Sequence, residues 1–467
     1  MNDERDNFWD RTLRQLSGAW QDVAEAARIR TGGRIRADLP DDDLERMREQ
    51  VTECVAGVGG EVLARARAAA IGGDYLSLDP LGKRRFLAML ARDFEVDLGA
   101  VDSDAAAMIR AGDVEAKRAL AQSLRELLEP PRMRLLTQFN GLPDGVKFLV
   151  DMRANAVEWA HEEPVLLRIA DDLRRLLTSW FDIGFLELKR MTWSSSAALL
   201  EKLIVYEAVH RIASWQDLKN RLESDRRLFA FFHPRMPDEP LIFVEVALVN
   251  GMADNVQRLL DAEAPILAPD RADTAIFYSI SNTQSGLAGI SLGDFLIKRV
   301  VDELMAELPN LKNFATLSPL PGFRRWLDGR LQAGEEGLLR PDECRKLGTE
   351  DEAAARTLLG EALASETALQ QPFEDMLIRL VARYLVLEKR NDRPLDPVAR
   401  FHLTNGARVE RLNWAADTSD NGRQQSAGIM VNYLYRLDDI RSNHDSFVGS
   451  GTIAASSAVR GLVKRSP

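Results

Sequence analysis

Three consecutive stretches decide the fold: AIFYSI at residues 275–280, SNTQSGLAGISLG at 281–293, and DFLIKRVVDELMAEL at 294–308. The first is a short apolar run rich in β-branched and aromatic residues, which reads as a buried strand. The third has the apolar period of a long amphipathic helix that opens at Asp294. Between them, glycines let the backbone fold closely, and unpaired N–H groups at a helix start sit at the positive end of its dipole. The loop reads either as a cradle for phosphate or as a tight link from strand to helix. Its spacing is not G-x-G-x-x-G and no Walker lysine follows, so neither nucleotide motif is present.

Other strands flank this unit. Leu186 to Lys189 alternates as a half-buried strand does. Arg227–His233 and Leu241–Val249 read as neighbouring strands parted by a turn at MPDEP, residues 236–240. Phe314 to Leu317 and Arg408 to Trp414 are further strands, and about 330 to 395 returns to helix. Before residue 182 the period is 3.6. Asp79-Pro80 is a helix cap followed by proline in the first turn, and Phe86, Leu87, Leu90 and Phe94 then share a face. Leu120, Leu124, Leu127 and Leu128 share another before Pro130-Pro131 stops the helix. Leu135 to Trp159 is interrupted by a turn at Pro143-Asp144-Gly145, and Leu166 to Trp180 is one more amphipathic helix. The expected fold is α+β, with an N-terminal all-α domain over 1–181 for packing or oligomerisation and an α/β domain over 182–467.

Length agrees with that division, because 467 residues exceed one ordinary core. A hydrophobic share of 45% with 28% charged residues is globular composition. The net charge of -11 argues against a nucleic-acid surface, which needs a basic face. Two cysteines, Cys54 and Cys344, cannot build a disulfide framework or a four-ligand zinc site, and suit a reducing compartment. The charged N-terminus, the absence of a long apolar run and the terminal KRSP predict a cytoplasmic protein without membrane contact.

Reactive side chains are sparse. Ser318, in TLSPLPGF, falls at a strand end where ligands of α/β sheets bind, although on the residues alone a turn serine or helix cap is the better account of it. The five histidines have no helical metal spacing. His402 lies near a turn and a following strand, where a lone strand histidine is more often structural. Spacing cannot pair it with Ser318, and there is no G-x-S-x-G elbow.

Longer stretches carry a resemblance. FYSISNTQSGLAGISLGDFLIKRVVDEL, LPNLKNFATLSPLPGFRRWL and FHLTNGARVERLNWAAD together resemble the malonyl-CoA decarboxylase family. PRMRLLTQFNGLPDGVKFLVDMRA, GFLELKRMTW, YEAVHRIASWQDLKNRL, FVEVAL and GIMVNYLYRL extend the likeness over most of the chain from about residue 80.

The resemblance implies a catalytic domain of GNAT-like fold that binds acyl-CoA. It implies conversion of malonyl-CoA to acetyl-CoA and carbon dioxide with no cofactor and no metal, in a homotetramer built from dimers. By the same likeness the catalytic residues are Ser318 and His402, together with Lys202 and Tyr435. The CoA-phosphate loop falls on Ala288, Gly289, Ile290, Ser291, Leu292, Gly293 and Asp294. Lys298, Arg299, Arg324 and Arg325 are candidate bases beside the anionic substrate. The chain has Ser194, Ser195 and Ser196 where some relatives carry cysteine, so disulfide control between subunits is not expected. In the expected chemistry, Ser318 orients the malonyl carboxylate and an imidazolium at His402 protonates the α-carbon. The alternatives are an acyltransferase on the same fold, which needs an acceptor, and a non-catalytic scaffold that senses acyl-CoA.

Overall fold

Asp79 opens the helix Pro80–Asp93 by accepting the Gly82 N–H at 2.8 Å. Its apolar face then buries Phe86, Leu87 and Leu90 completely. The computed structural model describes residues 16, 18–25, 34–57, 59–181, 185–290, 296–365 and 373–464. They fall into two compact units.

The first unit holds the helices up to Leu186, together with His233–Asp238 and the segment from Gln284. Its centre is aromatic. Trp20 stacks on Phe139 at 5.8 Å and meets Phe148 edge-on at 4.6 Å, and its indole N–H donates to Pro143 O at 2.8 Å. Arg132 and Asp172 form a buried ion pair at 2.7 Å. Leu120, Leu124 and Leu127 do not reach this core. Their helix, Val114–Leu127, and the neighbouring Leu98–Arg110 bury no residue fully. They pack on one another and leave Ile109 84% and Leu128 56% exposed.

The second unit is built on a seven-stranded mixed sheet. We number its strands β1 (Glu187–Met191), β2 (Arg226–His233), β3 (Met236–Val249), β4 (Thr274–Asn282), β5 (Asn313–Thr316), β6 (Arg408–Asn413) and β7 (Met430–Leu434), in the spatial order β1-β2-β3-β4-β5-β7-β6. MPDEP is not a turn: β3 already begins at Met236, and Pro234-Arg235 makes the tight connection. Two prolines mislead there, because they read as loop formers.

β3–β4 and β5–β7 are antiparallel, whereas β4–β5 is parallel, with the helix Leu296–Glu307 as its crossover. The last residue pair between β4 and β5 is Phe277 with Thr316. Beyond it β4 continues to Asn282, while the chain after β5 turns to β7 and joins it through Ser318 and Val431. The two parallel strands therefore part at their C-terminal ends, where α/β sheets accept ligands.

Candidate active site

Ser318 sits just past β5. Its N–H and C=O both bond to Val431, each at 2.9 Å, so a pair of bonds to β7 fixes its backbone. Thr316 lies two residues earlier on the same face of the strand and accepts the Ser318 hydroxyl proton at 2.9 Å. Ser318 Oγ is also 3.0 Å from His402 Nε2, and His402 Nδ1 is 2.8 Å from the Tyr435 hydroxyl. Serine, imidazole and phenol thus form one continuous buried chain, although 84 residues separate the first two.

His402 is not on a strand. It occupies the helix Pro397–Thr404, which starts with the same aspartate-proline signature as Pro80–Asp93. The Asp396 carboxyl caps it by accepting the Val398 and Ala399 N–H groups, both at 2.9 Å. Asp396 also accepts the Tyr384 hydroxyl, at 3.4 Å. A Cβ on Gly322 would lie 2.3 Å from the Tyr384 oxygen, so only glycine fits at that point in the loop after Ser318.

Burial governs the electrostatics. The His402 ring is sealed between neighbours, with Tyr433 stacked at 4.6 Å, and desolvation lowers its pKa to about 3. The imidazolium expected as donor is therefore not the resting form. Burial pushes Tyr435 well above the usual phenol range. The Tyr433 hydroxyl is buried with no hydrogen-bond partner among the described residues. Asp396 is raised by burial, against the pull of its backbone donors.

The other expected residues lie in different surroundings. Lys202, on the helix Ala197–Tyr206, donates to Glu239 at 2.5 Å, and Tyr206 donates to the other oxygen of that carboxylate at 3.1 Å. Ala288 and Gly289 are exposed, Gly289 has φ +73, and Ile290 is buried. Ser291, Leu292, Gly293 and Asp294 fall outside the described residues. Just upstream, Gly286 meets Val150 so closely that a Cβ would lie 1.8 Å from the Val150 carbonyl oxygen. Arg153 donates to Gly286 O at 2.6 Å.

Among the candidate bases, Lys298 is exposed and Arg299 lies over the Phe231 ring at 5.6 Å. Arg324 is spent on backbone carbonyls of Leu363 and Arg423, whereas Arg325 is exposed. Among the described residues no three His, Cys, Asp or Glu side chains gather as a metal site. No helix there is long and apolar enough to cross a membrane.

Sequence reasoning missed Thr316, Asp396 and Tyr433. Thr316 was legible from its two-residue offset from Ser318, and Asp396 from the proline that follows it. Nothing in the sequence marks Tyr433.

A helical unit, a mixed sheet with one diverging parallel pair, and a buried hydroxyl–imidazole–phenol chain define an α+β protein equipped for acid–base chemistry. Known proteins narrow the class. The family model for the malonyl-CoA decarboxylase C-terminal domain matches residues 184–467, and that for the N-terminal domain matches 94–181. The mitochondrial malonyl-CoA decarboxylase of Anser anser anser is 38% identical over 406 residues, covering 82% of this chain and 81% of its own. That of Rattus norvegicus is 38% identical over 402 residues, 82% of each. The crystal structure of malonyl-CoA decarboxylase from Rhodopseudomonas palustris superimposes with TM-score 0.82 at 43% identity, over 90% of this chain and 99% of that one. The enzyme from Agrobacterium vitis gives 0.79 at 40%, over 89% and 99%. This chain belongs to the malonyl-CoA decarboxylase family.

Proposed function

We propose that this carboxy-lyase converts malonyl-CoA to acetyl-CoA and carbon dioxide at the Ser318–His402–Tyr435 chain. The observation that carries the assignment is the pair of short contacts at His402, 3.0 Å to Ser318 and 2.8 Å to Tyr435, beside the parting of β4 and β5. Loss of carbon dioxide from a malonyl thioester leaves an enolate, which must be held by fixed donors and then protonated at carbon. Ser318, anchored on β7, orients the leaving carboxylate. His402 supplies the proton from its neutral Nε2–H while Nδ1 takes up the Tyr435 hydroxyl proton, and a proton from water restores the phenol once the products leave. A dry surround favours the step, because it strips water from the carboxylate.

The diverging β4–β5 pair supports a GNAT-like acyl-CoA site, with Ala288–Asp294 as the CoA-phosphate loop and no cofactor beyond the substrate. Exposed Lys298 and Arg325 are the bases best placed by exposure to meet an anion. For Lys202 the buried pair with Glu239 argues for bracing its helix rather than touching substrate. Burial pushes the Cys54 thiol up to about 11 and raises Cys344, which keeps both unreactive and fits a reducing cytoplasm. The little-covered helical pair in the first unit fits self-association, for which we propose a homotetramer of residues 1–181 modules and 182–467 catalytic domains.

A coupled assay that follows acetyl-CoA from malonyl-CoA with no acceptor tests the activity. An acyltransferase would release CoA only with an amine present, and a sensor would bind without turnover. Folded Ser318→Ala and His402→Ala variants should each lose at least about 100-fold in kcat. Near-normal turnover in either removes that residue from the reaction.

A further inference from the structure

Thr316 is completely buried, and its hydroxyl touches three groups. It accepts the Ser318 hydroxyl proton at 2.9 Å and the Tyr433 N–H at 3.1 Å, and donates to Val431 O at 3.5 Å. The Tyr433 amide belongs to β7, so the threonine side chain ties β5 and β7 together next to Ser318.

Proton counting then orders the whole chain. The Tyr435 hydroxyl has one hydrogen-bond partner among the described residues, His402 Nδ1. If Tyr435 donates, Nδ1 is an acceptor and the single proton of the neutral ring sits on Nε2. Nε2–H then donates to Ser318 Oγ, Ser318 donates to Thr316, and Thr316 donates to Val431 O. Every proton finds an acceptor within the chain. In the reverse order, Ser318 donates to Nε2 and Nδ1–H donates to Tyr435. The Tyr435 proton is then stranded in a buried site, and a buried polar group left unpaired costs about 1–3 kcal/mol.

We propose that Thr316 is a positioning residue that sets the polarity of this chain: by taking the Ser318 proton it keeps Ser318 from donating to His402 and so holds the imidazole as the Nε2–H tautomer. The proposal rests on the reading of Ser318 and His402 as the reacting groups. Its consequence is directional. When a carboxylate arrives, the Ser318 proton swings to it by rotation about Cβ–Oγ, with no heavy atom moving. The imidazole proton stays on Nε2, on the side of Ser318, where the α-carbon must be protonated. A chain of the opposite polarity would face the substrate with a bare nitrogen.

Nitrogen NMR of the full chain labelled with ¹⁵N-histidine reads the tautomer directly, with the His402 signals assigned from His402→Gln. Wild type should show Nε2 protonated and Nδ1 bare; the opposite pattern overturns the proposal. Thr316→Val should move population to the Nδ1–H form and lower kcat about 10–100-fold with KM within about twofold, as a small misplacement at a reacting group does. Thr316→Ser should restore both. In a Ser318→Ala background, Thr316→Val should cost nothing further. Wild-type kcat in folded Thr316→Val, or an equal loss with and without Ser318, would show that the threonine does not act through the serine. Should the valine variant not fold, the wild-type tautomer and the serine variant still decide the matter. If Ser318→Ala itself retains turnover, the site assignment fails whatever the tautomer.

Discussion

Asp396 caps the helix that carries His402 and, with the same carboxyl group, accepts the hydroxyl of Tyr384, whose oxygen packs against Gly322 in the loop that follows Ser318. One carboxyl group therefore ties together, through Tyr384, the two segments that supply the proposed reacting groups. Asp396→Ala removes a cap and strands several buried donors. The expected loss is about 2–4 kcal/mol in stability, read from the urea midpoint, with a fall in kcat larger than any rise in KM. Asp396→Asn, which keeps one acceptor, should fall between. Wild-type stability in the alanine variant would refute the bridging role.

Gly322 has a single obstacle to a side chain, the Tyr384 oxygen 2.3 Å from where a Cβ would stand. Gly322→Ala should lower the melting temperature and kcat together. Adding Tyr384→Phe deletes the obstructing oxygen and should recover much of the loss. Additive damage in the double variant would mean that the loop fails for another reason.

Acidity offers an independent check. Folding lowers the His402 pKa to about 3, from about 6.5 in an unfolded chain. Between those values the unfolded chain binds a proton that the folded one refuses. Stability from this group is complete above about pH 6.5 and is lost as the pH falls toward 3. The free enzyme's kcat/KM should correspondingly show no acid limb near pH 6.5 that disappears in a His402 variant. Such a limb would mean that the histidine is charged in the working enzyme.

The two tyrosines beside His402 should behave oppositely. Tyr435→Phe deletes the donor to Nδ1 and should lower kcat about 10–100-fold, in proportion to the lost control of the ring. Tyr433→Phe deletes a buried hydroxyl that has no partner among the described residues, and should leave stability unchanged or raised by up to about 1 kcal/mol, because an unpaired buried polar group is a liability. A large loss of activity in Tyr433→Phe would show instead that this hydroxyl meets the substrate.

The strand, glycine loop and helix of residues 275–308 were legible because their signals are local: a β-branched run, then an apolar period of 3.6. So was the Asp79-Pro80 cap. The equivalent signature at Asp396-Pro397 is just as local, and it marks the helix that carries His402, which the sequence reading sets only near a turn and the following strand. The prolines of MPDEP hid the start of β3. Pairing Ser318 with His402 lay beyond any spacing argument, since only the registration of β5 against β7 and the docking of a distant helix create it. Family likeness supplied the two residues; the fold supplied their contact, and Thr316 with it.

The seam between Gly286 and Val150 bears on how the protein can be dissected. That seam and the Arg153 bond place the entrance of the glycine loop with the helices of the first unit, although in sequence it lies deep within the second half. A fragment starting at Glu187 would retain β4 and the serine but lose the surface against which residues 284–290 are moulded. With residues 288–294 as the proposed CoA-phosphate loop, substitutions at Val150 or Arg153, far from any reacting atom in sequence, are expected to act on substrate affinity rather than on the chemical step.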